Sequence, residues 1–379
     1  MDVARCVALL GMVGTHLLDQ RDPLTGELAL GQALAGGRAS ALFAVLAGVT
    51  LALATGRRTP PRGRERVAAS AGLVVRALLI AAVGLLLAEA ESGLAVILTY
   101  YGLLFLLGLP FVGLGARALL GLAAVWTVVT PVLSHLVRPE LPERGFSSPQ
   151  LEQLAEPGRL VSELAFTGYY PVVPWLAYLL AGMALGRMDL SRRRLQAALA
   201  VGGGAVAVAA TVVSHALTRR ADVTQALLAE PPSAGTGPEL LDRISTGLAG
   251  TTPTGGAWQW LLVVAPHSGT PFDIAQTIGS ALLVVGLCLL VVGSLPAVAE
   301  RAVAVLFGAG TMTLSLYSLH VLMRTPEVWP REQPGAFWLH AVVLLGIGAW
   351  FAAWRQRGPL ERVVGGLAGA AVSGLSPRR

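Results

Sequence analysis

The chain has 379 residues, of which 54% are hydrophobic and only 13% are charged, and its mean hydropathy is +0.66. A soluble domain carries about 25% charged residues, so this composition excludes a globular protein with a water-covered surface. All 28 basic residues are arginines, and the formal net charge is +6. The arginines stand in short loops between apolar runs, which is typical of membrane topology control and excludes a nucleic-acid-binding face. The lack of lysine is typical of a GC-rich bacterial genome.

Apolar segments close to the ~20 residues that cross a bilayer predict an all-α, polytopic helical bundle. We predict ten spans, at about residues 3–18, 33–55, 67–88, 93–112, 117–136, 169–187, 196–216, 272–293, 302–323 and 336–354. Residues 1–358 then form a single transmembrane domain with outer loops at 137–168 and 217–271, and 359–379 form a cytoplasmic tail.

Arginines crowd the loops after spans two, six and ten: Arg57, Arg58, Arg62, Arg64, Arg66, Arg187, Arg192, Arg193, Arg194, Arg355, Arg357 and Arg362. Because positively charged short loops stay in the cytoplasm, this pattern predicts a multi-pass plasma-membrane protein with both termini cytoplasmic. Every span count between these loops is even, so the orientation is consistent. Cys6 and Cys288 fall in apolar segments, which argues against a structural disulfide.

The first span carries Asp2, Arg5 and His16. At about 100° per residue, Arg5 and His16 share one face, and Asp2 stands near enough to Arg5 for an i, i+3 ion pair. Ionisable groups in a membrane helix usually face a protein interior or an aqueous cavity. The alternative is that all three are ordinary interfacial residues.

Arg38 opens the second span on the outer side, where the positive-inside rule disfavours arginine. A partner is therefore expected, either an anionic ligand group or a carboxylate such as Asp19. Snorkelling of Arg38 to the outer interface is the alternative.

His267 and Asp273 flank a Pro- and Gly-containing turn before the eighth span, and Tyr317 and His320 share a face of the ninth. The topology sets His16, Arg38, His267, Asp273 and His320 at one depth, and convergent polar groups in a bundle indicate a binding site. Three further histidines fall near the same level, so an interfacial preference of histidine is the alternative explanation: His135, His215 and His340.

Motifs of soluble active sites are missing from the sequence. It has no phosphate-binding loop, dinucleotide fingerprint, zinc-ligand spacing or nucleophile elbow, so we expect no metal. The triplet Gly202-Gly203-Gly204 indicates close helix packing.

Several short segments together resemble bacterial membrane proteins related to heparan-alpha-glucosaminide N-acetyltransferase. These segments are Asp2-Val3-Ala4-Arg5 with His16, Gly37-Arg38-Ala39-Ser40-Ala41-Leu42-Phe43, Leu46-Ala47-Gly48, Pro174 to Gly182, His267-Ser268-Gly269 and Gly310 to Tyr317. The ten-residue spacing between Arg5 and His16 is also similar to that of acyltransferase-3 proteins. The resemblance covers most of the chain. Cys6 departs from the glycine common at that position.

The resemblance implies transfer of an acetyl or other acyl group from cytosolic acyl-CoA to an amine or hydroxyl of an extracytoplasmic sugar or cell-envelope acceptor. It implies that His16 is the catalytic histidine, with Arg5 and Asp2 on the acyl-CoA side. His267 and His320 are further catalytic candidates, and Arg38, Asp273 and Tyr317 are candidates for binding the acceptor. Partners are then the bilayer, acyl-CoA and a glycan; a homodimer stays open.

A transporter or flippase for a lipid or small metabolite is the alternative function, because intramembrane histidines can relay protons. The lack of charges near the bilayer centre and of obvious internal repeats argues against it. A non-catalytic scaffold for envelope assembly is the third alternative.

Overall fold

A computed structural model describes residues 1–145, 148–229, 235–325, 328–329 and 335–375. Within these ranges the chain is helical, without a strand beyond the isolated bridge between Arg21 and Leu28. The α-helices in chain order are α1 Asp2–Leu17, α2 Leu30–Ala35, α3 Arg38–Ala54, α4 Gly63–Ala88, α5 Leu98–Gly108, α6 Ala116–Val137, α7 Pro157–Ser162, α8 Val172–Gly186, α9 Arg193–Thr218, α10 Ala221–Leu228, α11 Gly237–Ile244, α12 Pro271–Val292, α13 Ala297–Leu306, α14 Thr313–Leu322, α15 Ala336–Ala353 and α16 Pro359–Leu375.

Six helical segments of the described chain are long and apolar enough to cross a membrane: Leu30–Ala54, Gly63–Ala88, Ala116–Glu140, Arg193–Thr218, Pro271–Val292 and Ala336–Ala353. The pair Pro157–Thr167 and Val172–Gly186, bent by 56°, makes a seventh if it is one span. The all-helical membrane fold is thus confirmed, whereas ten spans stay a prediction. Three predicted spans correspond to the shorter helices α1, α5 and α14.

The ninth predicted span, 302–323, is not one helix, and this corrects the expectation of a continuous segment. It divides into the end of α13, a 3-10 turn at Gly308–Thr311, and α14. Close backbone contacts explain the break, because a Cβ on Gly310 would collide with the Asp2 carbonyl and one on Gly308 with the Gly348 carbonyl. A straight α-helix over 302–323 would lose these contacts with α1 and α15.

Helix α8 is the centre of the bundle and is buried along nearly its whole length. It crosses α3 at Gly48 and Gly182, where either Cβ would collide with the backbone of the facing helix. Helices α9 and α12 pack in the same manner, since a Cβ on Gly203 would stand 2.6 Å from the Gly279 carbonyl oxygen. This contact confirms close packing at Gly203 alone, since Gly202 faces open space and Gly204 makes only ordinary contact with Leu283.

One end of the bundle, here called the arginine end, gathers the basic loops. The guanidinium of Arg187 is buried and donates to the carbonyls of Ala52, Thr55, Arg57 and Val112 at 2.7–3.0 Å. These bonds fasten the end of α8 to the end of α3 and to the turn after α5. The first residues of α1 reach the same end, because Arg5 donates to Thr50 near the end of α3.

The first part of the predicted tail, residues 359–375, also folds onto the bundle. Helix α16 packs along α4, where a Cβ on Gly72 would press on Val372 and Ala368. The Glu361 carboxylate accepts from the backbone N–H of Leu314 at 2.7 Å and so caps the start of α14.

The opposite end is covered by residues 217–229 and 235–271, here called the cap. The cap contains α10, α11 and a 3-10 turn at Trp258–Leu262, with a small core around the buried Trp260. Its contacts to the bundle include Gln32 Nε2 to the Thr246 carbonyl at 2.7 Å and Arg138 Nη1 to the Thr252 carbonyl at 2.6 Å. The short apolar stretch 257–265 lies within the cap and contributes Trp260, Val263 and Ala265 to its core.

Candidate active site

A polar cavity of about 310 Å³ lies under the cap, at the end of α1. Its walls come from α1, α2, the start of α3, the 93–95 loop, the kink before α8, the cap and the turn that follows α14. The lining side chains that can exchange protons or hydrogen bonds are Thr15, His16, Gln20, Gln32, Ser40, Tyr169, Tyr170, Thr246, His267 and Arg324. Elements distant in the sequence therefore converge on one cavity.

His16 is held by a second histidine. Its Nδ1 lies 3.0 Å from Nε2 of His320, and the two rings are parallel within 4° with centroids 5.3 Å apart. The centroid separation exceeds the nitrogen separation by about one ring diameter, so the rings lie edge to edge in one plane, which is good geometry for a hydrogen bond. The Nε2 of His16 has no hydrogen bond within the described chain. Nδ1 of His16 is thus hydrogen-bonded to His320, and the His16 ring borders the cavity.

His267 reaches the cavity from a strained turn. Its backbone φ is +56°, which is uncommon for a residue other than glycine, and the turn packs on Gly37, whose own φ is +68°. The ring lies 5.1 Å from that of Tyr169 and 5.6 Å from that of Tyr170, centroid to centroid. Burial lowers the pKa of His267 to about 4, so the imidazole is neutral at pH 7.

Asp273 stabilises the turn that carries His267 through two hydrogen bonds. Its carboxylate accepts from the backbone N–H of Gly269 at 3.0 Å, and its own N–H donates to Thr270 Oγ1 at 3.1 Å to cap α12. Asp273 is buried and does not appear in the lining of the polar cavity. Its observed contacts position the His267 turn.

Arg38 lies on the far side of the α2–α3 corner from His16. Its guanidinium donates to the Ala33 carbonyl at 2.6 Å and lines two neighbouring cavities, while Asp273 is near enough for electrostatic attraction. The sequence predicted a partner such as Asp19 for Arg38. The structure instead provides the Ala33 carbonyl as the hydrogen-bond partner, with Asp273 nearby. Arg38 and His16 therefore line different cavities.

A second cavity of about 140 Å³ lies nearer the arginine end. Met12 borders both cavities, and the lining of this one is mostly apolar, with a charge from Arg5 and a hydroxyl from Tyr317. The predicted ion pair is confirmed, because Arg5 Nη1 stands 2.7 Å from the Asp2 carboxylate. Tyr317 accepts from the Ile97 backbone N–H at 3.3 Å, so it belongs to this inner cavity.

Sequence reasoning missed Arg324 and the two tyrosines Tyr169 and Tyr170. Arg324 follows a helix that runs toward the predicted outer side, where the positive-inside rule disfavours arginine. Its outer position therefore marks Arg324 as a site candidate in the same way as Arg38. The tyrosine pair carries no comparable signal, since aromatic residues are common at helix starts near an interface. Among the described residues, no group of three His, Cys, Asp or Glu side chains could hold a metal ion.

Fold and cavity together define an integral membrane protein that encloses a histidine-lined polar chamber beside a more apolar one. The sequence pattern of the family described as heparan-alpha-glucosaminide N-acetyltransferase, catalytic, matches residues 1–218, more than half of the chain, and the chain belongs to that family. Membership implies a membrane acetyltransferase activity in general, and the family uses acetyl-CoA as its donor in general. No curated protein and no solved structure matches the chain. The matched range includes Asp2, Arg5, His16 and Arg38, whereas His267 and His320 lie beyond it.

Proposed function

We propose that this protein transfers an acetyl or other acyl group from cytosolic acyl-CoA to an amine or hydroxyl of an extracytoplasmic sugar or cell-envelope acceptor. His16 is the general base of the reaction. The observation that carries this proposal is the position of His16 in the wall of the polar cavity, with one nitrogen bonded to His320 and the other without a partner within the described chain. A neutral imidazole with a free nitrogen can take a proton from an attacking nucleophile at pH 7.

The two cavities give each substrate its own environment. The apolar inner cavity suits the acyl group and the adjoining arm of the donor, with Arg5 in its wall and Asp2 paired with Arg5. The polar outer cavity, with Gln20, Gln32, Thr246 and the two tyrosines, suits the hydroxyl groups of a sugar. Met12 lies between the two, so the thioester reacts where the cavities adjoin.

The proposed step is a direct acyl transfer. His16 Nε2 accepts the proton from the acceptor amine or hydroxyl as that atom bonds to the thioester carbon, and the developing oxyanion is stabilised by a nearby cation or N–H donor. Arg324, which borders the cavity and whose charge acts on His16, is the candidate for this role, with His267 as a second one. The carbon–sulfur bond then breaks, and the imidazolium returns the proton to the thiolate.

The proposal includes the orientation in the membrane: ten passes in the plasma membrane, with both termini and the arginine end in the cytoplasm. The bonds of Arg187, the ion pair between Arg58 and Asp189 and the bond from Arg193 to the Gly293 carbonyl all lie at that end and support it. Helices α1, α5 and α14 are then short passes that each contribute residues to the wall of the inner cavity. The cap faces the outside.

The direct test measures thiol release from acetyl-CoA by the purified protein in the presence of amino sugars. His16→Ala is expected to lower kcat by about 100-fold or more, since general acid–base catalysis contributes that much. His215→Ala is the matched control, because His215 is an exposed histidine on α9 outside the polar cavity, and it is expected to retain full turnover. Equal turnover in the two variants would remove His16 from the mechanism.

A further inference from the structure

Three histidines form one continuous hydrogen-bonded chain that begins at the polar cavity. Beyond the bond between His16 and His320, Nδ1 of His320 lies 3.0 Å from Nδ1 of His340, and the ring centroids are 5.1 Å apart. The side chains of His320 and His340 are both fully buried. His340 comes from α15, so the chain joins α1, α14 and α15.

The chain admits only two neutral arrangements of protons, because each neutral imidazole carries a single N–H and each bond needs one donor and one acceptor. In the first, the N–H groups are on His16 Nδ1, His320 Nδ1 and His340 Nε2. In the second, all three protons are on the opposite nitrogens, and His16 Nε2 is an N–H. Only the first leaves a lone pair on His16 Nε2 for use as a base.

The far end of the chain is enclosed. His340 Nε2 is buried without a hydrogen-bond partner within the described chain, and the ring lies against that of Trp329, with centroids 6.0 Å apart and planes at 71°. An N–H at this position can rest against an aromatic face, a weak but favourable contact. Burial also keeps water from supplying a competing acceptor to His320.

We propose that His320 and His340 are positioning residues that hold His16 in the tautomer with a proton on Nδ1 and a lone pair on Nε2. This inference rests on the proposed function of His16 and extends it to a residue on α15. During transfer, the acceptor proton moves to His16 Nε2, and the positive charge is stabilised by the Nδ1–H bond to His320. The proton then passes from Nε2 to the departing thiolate, so no proton leaves through the chain.

The test combines two substitutions at His340 with nitrogen-15 spectra of the histidine rings in the full-length protein. His340→Phe retains an aromatic ring but removes the acceptor for His320. His340→Asn retains an acceptor at the position of Nδ1. The whole protein contains six histidines, so each resonance can be assigned from single substitutions.

Wild type and His340→Asn are expected to show His16 protonated on Nδ1, and His340→Phe to show it protonated on Nε2. With acetyl-CoA and an amino sugar, kcat of His340→Phe is expected to fall about 100-fold with KM little changed, whereas His340→Asn recovers most of the loss. An unchanged His16 tautomer in His340→Phe would overturn the inference. So would a loss in His340→Asn as large as that in His340→Phe. If no variant and no wild-type protein transfers an acyl group, the proposed function fails, while the spectra still decide whether the chain sets the tautomer.

Discussion

Single side chains at the cavity differ in how the protein holds them. His16 is fixed by a hydrogen bond, whereas His267 is fixed by a backbone turn with positive φ and by two tyrosine rings. Such strained positions persist where the surrounding structure over-determines them, and they cluster at functional sites. His267 is therefore presented to the cavity by the fold of the cap and by ring contacts, whereas His16 depends on a hydrogen bond to His320.

The lowered pKa of His267 links the stability of the protein to pH. The unfolded chain binds a proton at this position below about pH 6.5, whereas the folded protein does so only near pH 4, because burial disfavours the charged ring. The contribution of this residue to stability is therefore complete above pH 6.5 and is lost as the pH falls from 6.5 to 4. We expect His267→Asn, which tolerates a positive φ, to show a smaller drop in thermal midpoint between pH 7 and pH 4.5 than wild type.

His215→Asn is the matched control for the substitution itself, because it makes the same change at an exposed histidine outside the polar cavity. A drop in His267→Asn equal to that of wild type would show that His267 is accessible to protons in the folded protein.

Residue patterns predicted the local ion pair correctly, but they predicted only part of the set of residues that line the polar cavity. Helical spacing alone gave the ion pair between Asp2 and Arg5, because an i, i+3 contact depends on one helix. Arg38 was expected beside His16, but the corner between α2 and α3 directs its guanidinium to the Ala33 carbonyl. The direction of that corner depends on how the cap packs on Gly37, which no pattern within α3 records.

At the scale of helices, small residues decide how closely the elements approach. The crossing of α3 and α8 brings the backbones together at Gly48 and Gly182, and a membrane bundle gains van der Waals contact from such crossings. Because α3 carries Thr50 toward Arg5 and Gly37 toward His267, the crossing also sets the positions of both cavity walls.

Gly182→Ala is expected to destabilise the protein by about 1–3 kcal/mol, because the new Cβ would collide with the Val45 carbonyl and force the two helices apart. Thermal unfolding in detergent measures this loss. Gly202→Ala is the matched control, since a Cβ there meets no atom within 4 Å, and its midpoint should be unchanged or slightly raised. Equal midpoints in the two variants would contradict the assigned crossing.

Hydropathy located most helices to within a few residues but did not reveal which were short. Helix α15 at Ala336–Ala353 agrees with the predicted 336–354, because the length of a long, uniformly apolar run predicts the length of its helix. The segment 302–323 has similar composition, yet it breaks at Gly308–Thr311. That break is set by contacts with Asp2 and Gly348, which are tertiary and leave no trace in local hydropathy.

The whole molecule has two different ends. The arginine-rich loops after α3 and α8 lie at one end, and the histidine-lined cavity with its cap occupies the other. The arginine loops alone predicted this polarity, because charge asymmetry follows the order of the spans. The cap could not be anticipated in detail, since residues 217–271 have a loop-like composition and gain their order from the core around Trp260 and from contacts with the bundle.

The central claim is that His16 is the general base for acyl transfer between substrates that enter from opposite ends. It is tested most directly in proteoliposomes in which protein molecules of one orientation are selected, with labelled acetyl-CoA on the arginine side and an amino sugar on the cap side. The account predicts that labelled acetyl sugar appears on the cap side with wild type and is lost with His16→Ala. Product formed only when donor and acceptor share one side, or formed equally well by His16→Ala, would contradict it.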